Sequence, residues 1–214
     1  TALSAQDCDP TIQQSVVTKA GGNPLFLEEL TLAVAEQGEA ALAPGVPDTI
    51  QTVLAARMDR LPATAKHLLQ TAAVMGTEIP LPLLHQLAAL PEDVLSAQLA
   101  HLEASEFFFE TRVLPVPIYT FKHVLTQEVA YQSLVRRRRQ DVHAQIVRIV
   151  AAEFPDLATA QPVFLAHHAT AADLHAQAVH YWRQAGEQAV ERSAPVEARA
   201  YLGQGLVVLR KAPE

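Results

Sequence analysis

The stretch Gly21-Gly22-Asn23-Pro24-Leu25-Phe26-Leu27-Glu28-Glu29-Leu30 obliges the chain to stop one helix and start another. Paired glycines reach backbone conformations closed to most residues. Asn23 is of the type that caps a helix, and proline is at home in a first helical turn. Leu27, Leu30 and Val34 then recur at i, i+3 and i+7, which predicts one apolar face on the helix that follows.

Composition agrees with a helical build. Half of the 214 residues are hydrophobic and the mean hydropathy is +0.10, so a sizeable core is available. Aromatic residues make up only 6%; alanine and leucine dominate, which favours close helix packing over a sandwich of sheets. This length fits roughly one or two domains. A net charge of −7 repels polyanions overall. Cys8 is the single cysteine, so no intrachain disulfide can form, and a reducing compartment is expected. No apolar run approaches the ~20 residues of a membrane span, and no signal peptide is visible. The expected location is cytoplasmic. Thr1 is not a methionine and precedes a helical region, so the chain reads as an excised part of a longer protein.

The sequence predicts a mainly α fold in three pieces. Residues 1–45 form a helical segment, with helices Thr11–Ala20 and Pro24–Gln37 and a breaker cluster at Ala43-Pro44-Gly45-Val46-Pro47. Residues 46–154 follow a winged helix-turn-helix order. Asp48 is expected to cap a helix over Thr49–Arg60, followed by Ala63–Met75, a short helix from Pro80-Leu81-Pro82 to about Leu90, and Pro91–Ser105. Phe107–Thr111 and Ile118–Phe121 are aromatic or β-branched and read as a β-hairpin. Helices Lys122–Val135 and Asp141–Glu153 close this piece. Residues 155–214 begin a helical array, with a helix over about Leu174–Arg192, a restart at Ser193-Ala194-Pro195, and a last helix to about Lys211.

Several chemistries lack their residues. The chain has no G-x-x-x-x-G-K-[ST] phosphate loop and no acidic Walker B strand, so it is not expected to hydrolyse ATP by itself. The would-be recognition helix Pro91–Ser105 carries Glu92, Asp93 and Glu103 and no Lys or Arg. Residues 46–121 hold four bases (Arg57, Arg60, Lys66, Arg112) against eight acids. Duplex binding rests on Lys and Arg at phosphates, so nucleic acid is an unfavoured partner. Arg136-Arg137-Arg138-Arg139, the one basic cluster, reads as a solvated, salt-bridging turn between two helices, beside a helix C-terminus that favours cations. Nine histidines include His168 and His175, seven apart, which share a helix face only if the helix is unbroken at Asp173. No H-E-x-x-H and no cysteine partner accompanies them, so no metal site is expected.

The decapeptide resembles the GxP-type segment that opens the helical lid of STAND-class signalling ATPases, relatives of the AAA+ NTPases. Tyr119-Thr120-Phe121-Lys122-His123-Val124-Leu125-Thr126-Gln127-Glu128-Val129-Ala130-Tyr131 resembles a block of their winged-helix domain. Val46-Pro47-Asp48-Thr49-Ile50-Gln51 and Ala56-Arg57-Met58-Asp59-Arg60-Leu61-Pro62 are also similar to that family, in the same order. Trp182, Gly186, Ala198, Leu202 and Gly205 resemble a tetratricopeptide repeat, although Ala189 stands where a large residue is usual and Arg210 where a proline is usual. The resemblance implies Pro24 against an adenine ring and His123 against a nucleotide phosphate, with ATP or ADP and magnesium held in the intact longer protein. It implies two partners: that protein's ATPase core, and a protein on the helical repeats. It also implies bacterial multidomain relatives with an adenylate or guanylate cyclase output. The residues at either side of His123, Lys122 and Val124, depart from the best-known version of the motif. Other readings stay open: Gly-Gly-Asn-Pro as a plain turn, His123 as a helix-start residue, the winged helix as a DNA-binding regulator, and the repeats as a scaffold.

Overall fold

The computed structural model describes residues 10–38, 41, 49–112 and 116–211. Cys8, Asp48, the 43–47 breaker cluster and the Val46–Asp48 part of one resembling segment lie outside them. The order is α1 (Pro10–Ala20), α2 (Pro24–Gln37), α3 (Ile50–Asp59), α4 (Ala63–Met75), β1 (Glu78–Pro80), α5 (Leu81–Ala88), α6 (Glu92–Ala104), β2 (Phe108–Arg112), β3 (Ile118–Phe121), α7 (Val124–Ser133), α8 (Arg136–Glu153), α9 (Pro155–Ala160), α10 (Pro162–Ala171), α11 (His175–Glu191) and α12 (Pro195–Lys211). The protein is mainly α with a small antiparallel sheet, as its sequence leads one to expect.

Gly21 and Gly22, at φ 57° and 82°, end α1 in the left-handed region. Pro24 opens α2 behind Asn23, whose side-chain oxygen accepts the Phe26 N–H at 3.2 Å. The buried face of α2 is Phe26, Glu29, Leu30 and Ala33. Leu27 faces outward, contrary to the expected stripe. The reason is that α1 and α3 cover the Phe26–Leu30 side, where a small cluster of Val16, Ala20, Phe26, Leu30 and Ala33 meets Val53. Thr49, next to the expected Asp48, caps α3 by accepting the Thr52 N–H.

From α4 to β3 the elements follow the winged helix-turn-helix order, with one strand the sequence did not reveal. β1 pairs antiparallel with β3 (Ile79 against Tyr119), and β2 lies on the other side of β3 with Phe109 against Thr120. The sheet order is therefore β1-β3-β2. A strand of three residues ending in proline has no readable period, and only its central neighbour defines it.

A second, much larger core runs without interruption from Leu54 of α3 through Ile79, Phe107, Ile146 and Leu165 to Trp182 and Val208. Helices α9 and α10, which the sequence reading did not assign, pack here. Besides α5, which ends at left-handed Ala89, three helices end in left-handed residues other than glycine: Glu106, Asp173 and Ser193. In each case the next N–H reaches back five residues: Phe107 to Leu102, Leu174 to Ala169, Ala194 to Ala189, all at 2.9 Å. This is the Schellman closure, hidden from the sequence because glycine is absent.

In the array, α11 and α12 touch through a glycine notch. A Cβ on Gly186 would lie 2.6 Å from Leu202 Cγ, and one on Gly205 would lie 3.2 Å from Trp182 Cβ. The small-and-large pattern read from the sequence thus has its expected physical use.

Candidate functional site

Pro24 is exposed at the first turn of α2. One turn later come Glu28, half-buried, and Glu29, buried. On the far side of the sequence, β3 delivers Lys122 and His123 into the start of α7. His123 occupies the N-cap position with extended backbone (φ −137°, ψ 141°), but its side chain makes no capping bond. The helix expected from Lys122 therefore begins two residues later, at Val124.

Glu28 joins the two sequence-predicted residues' neighbourhoods. Its Oε1 lies 2.5 Å from Lys122 Nζ. Its Oε2 lies 3.2 Å from His123 Nε2, a contact not aligned as a hydrogen bond. That buried ring nitrogen has no hydrogen-bond partner among the described residues. Lys122 also bonds the Glu106 carboxylate. The Lys122 bond is the main cause holding the Glu28 carboxyl below its ordinary range, against the pull of burial. Burial alone would lower the Lys122 ammonium, and the bonds from Glu106 and Glu28 more than offset it, so its pKa is raised.

Beside this contact lies a buried ion network. Arg57 of α3 bonds Glu29 at 2.5 Å, with both side chains 2% exposed. It also donates to Glu36 at 3.1 Å and to the Ser105 carbonyl at 2.9 Å. Its guanidinium lies 5.0 Å from the centre of the Phe107 ring. Arg60 adds a 2.8 Å bond to Glu36. A fixed fork of donors suits this task, because each of the three guanidinium nitrogens finds an acceptor and little charge is left uncompensated. The sequence does carry a signal for it: Arg57 interrupts the apolar period of Val53, Leu54 and Met58, all buried. A charge on a core-facing stripe needs a buried partner.

Three segments far apart in sequence are thus tied together: the decapeptide through Glu28 and Glu29, the Ala56–Pro62 block through Arg57, and the Phe121–His123 block through Lys122 and His123.

One expectation elsewhere is corrected, and one condition left open by the sequence is answered. Arg136–Arg139 form the first turn of α8, not a turn after a helix C-terminus. They oppose the helix dipole there and are compensated by other means. Arg138 donates to His67 Nε2 at 2.9 Å. Arg139 stacks 4.9 Å from the Tyr131 ring centre, and Arg136 lies 3.8 Å from Asp173. His168 and His175 sit on separate helices, with left-handed Asp173 between them.

His168 instead meets His143 of α8, Nδ1 to Nδ1 at 2.7 Å, and His143 Nε2 meets the Tyr131 hydroxyl at 3.1 Å. Burial lowers His143 to about 4, with the Arg139 charge adding to it. Burial lowers His168 to about 3, with His143 and His167 adding to it. Both rings are neutral near pH 7, and one shares its Nδ1 proton with the other. Among the described residues no group of three metal-ligating side chains comes together, and no helix is long and apolar enough to cross a membrane.

No protein-family model matches the chain. It is 32% identical over 197 residues to an uncharacterized protein of Rhizobium meliloti (strain 1021), covering 87% of this chain and 19% of that relative. The chain thus spans about a fifth of the relative's length.

Proposed function

We propose that this chain is a non-catalytic regulatory part of a STAND-class signalling ATPase, working in the cytoplasm. In this reading residues 1–45 are the lid segment, 46–154 the winged-helix domain and 155–214 the start of the repeats. ATP or ADP with magnesium is held by the ATPase core of the longer protein. The lid and winged helix report nucleotide state to an output domain, for which a nucleotide cyclase is the favoured type, and the repeats take a protein partner.

One observation carries the proposal. Segments far apart in sequence, each resembling the family on its own, converge on α2. Pro24 opens that helix, Glu28 touches Lys122 and His123, and Glu29 is locked to Arg57. A lid helix fixed in this way on a winged helix can pass a change at a nucleotide to the elements behind it.

The test is ADP release from the longer protein that carries this chain, with and without His123→Ala. A lost hydrogen bond to a charged group is worth roughly 1.5–3 kcal/mol, so ADP should leave about tenfold faster or more. Equal release rates, with circular dichroism unchanged, would return His123 to a helix-start residue.

A further inference from the structure

Lys122 and His123 already have an anion against them. One carboxylate spans both: Glu28 Oε1 at 2.5 Å from Lys122 Nζ and Oε2 at 3.2 Å from His123 Nε2. Glu106 takes a second bond from the same ammonium. A carboxylate is an acceptor with two oxygens on one centre, so it offers these groups what two oxygens of a phosphoryl group would offer. Beside His123 the cluster sets one ammonium against two carboxylates. An entering phosphate is therefore repelled while Glu28 stays in place.

Glu28 is free to leave and its neighbours are not. Its side chain is 36% exposed, so a rotamer change carries the carboxylate into water. Glu29, the next residue, is held to Arg57 at 2% exposure, which keeps α2 in position during that change. Lys122 keeps its bond to Glu106 and remains in reach of an incoming anion.

We propose, building on the reading that His123 faces a nucleotide phosphate, that Glu28 is a built-in competitor for that phosphate. Its carboxylate takes the phosphate's place on Lys122 and His123, and it must swing out before the phosphate can bind. Glu28 is a regulating residue: it sets how readily nucleotide is held. Its depressed pKa keeps it charged through neutral pH, so displacement is by exchange of anions and not by protonation.

The experiment measures equilibrium binding of fluorescent ADP to the longer protein in four forms: wild type, Glu28→Gln, His123→Ala and the double variant. Loss of one partly exposed like charge should tighten ADP by about threefold or more in Glu28→Gln. His123→Ala should weaken it, and removing Glu28 should tighten ADP less in the His123→Ala background than in the wild type, because only Lys122 is then freed. Glu28→Asp, which keeps the charge but shortens the reach, should tighten ADP in part, and it serves if Glu28→Gln folds poorly. Weaker binding in His123→Ala with no tightening in either Glu28 variant overturns the competitor and leaves the nucleotide reading standing. No change in any variant overturns both. Tightening of the same size in both backgrounds means Glu28 acts through overall charge, and also overturns the competitor.

Discussion

On its N-terminal side the middle of the molecule holds α2 by charge: Glu29 to Arg57 in the interior, Glu36 to Arg57 and Arg60 at the rim, Glu28 to Lys122. On its C-terminal side it holds α10 by neutral groups. His143 of α8 meets His168, and Leu165 and Ala166 are fully buried. The apolar clusters match this division. The N-terminal one is small, and the C-terminal array shares one core with the winged helix. A junction with little apolar area depends on satisfied charges for its geometry. A junction inside a continuous core depends on shape, and on keeping its rings unprotonated.

The sharpest way to break this comparison is at Arg57. Arg57→Ala leaves Glu29 buried without its partner, which should cost about 3–5 kcal/mol in urea unfolding. The double change Glu29→Leu with Arg57→Met should restore most of that loss. A loss below about 1 kcal/mol in the single variant would mean that the charged junction does not hold α2.

Acid should act next, and at the other junction. His143 and His168 titrate at about 4 and about 3 in the fold, below the ordinary 6.5. Between those values the unfolded chain binds protons that the folded chain refuses. Their contribution is therefore complete above about pH 6.5 and is lost as pH falls through 4 towards 3. From pH 7 to pH 4.5 the wild-type Tm should fall by roughly 5 °C more than that of a His143→Leu, His168→Leu variant. Parallel curves for the two proteins would remove the histidines from the account.

The smallest effect is expected in the helical array. Gly186→Ala brings a Cβ to 2.6 Å from Leu202. Overpacking costs about 1–3 kcal/mol, and alanine returns about 1 kcal/mol in helix preference. Leu202 is 41% exposed and can give way in part. A net loss of about 1 kcal/mol should appear, insensitive to salt and pH, unlike either loss above. A stabilised Gly186→Ala would show that the notch is not tight.

Local signals were legible where the residues themselves impose them. The Asn23-Pro24 start of α2, the Pro62 and Gly76 limits of α4, and the β-branched and aromatic run Ile118–Phe121 fall where the sequence places them. The misses share one cause. β1 exists only because β3 accepts it. α9 and α10 are short, and α10 has apolar residues on most sides. The Arg136–Arg139 turn is helical because α8 packs on α4, α5 and α10, at the expense of the dipole. Pro24 and His123 were singled out only by a resemblance to a family, and Glu28 was not singled out at all, since nothing local distinguishes it from a solvated helix residue.

The sequence by itself determined the mainly helical class, the punctuation by glycine and proline, and the poverty of cations on α6, because each depends on a residue's own backbone freedom or charge. Tertiary structure alone decided which glutamate meets Arg57, which meets Lys122 and His123, and that two histidines share a proton in the core. Those pairings depend on distances between segments far apart in the chain. Such distances are set by how helix faces pack, and no residue type or spacing encodes them locally.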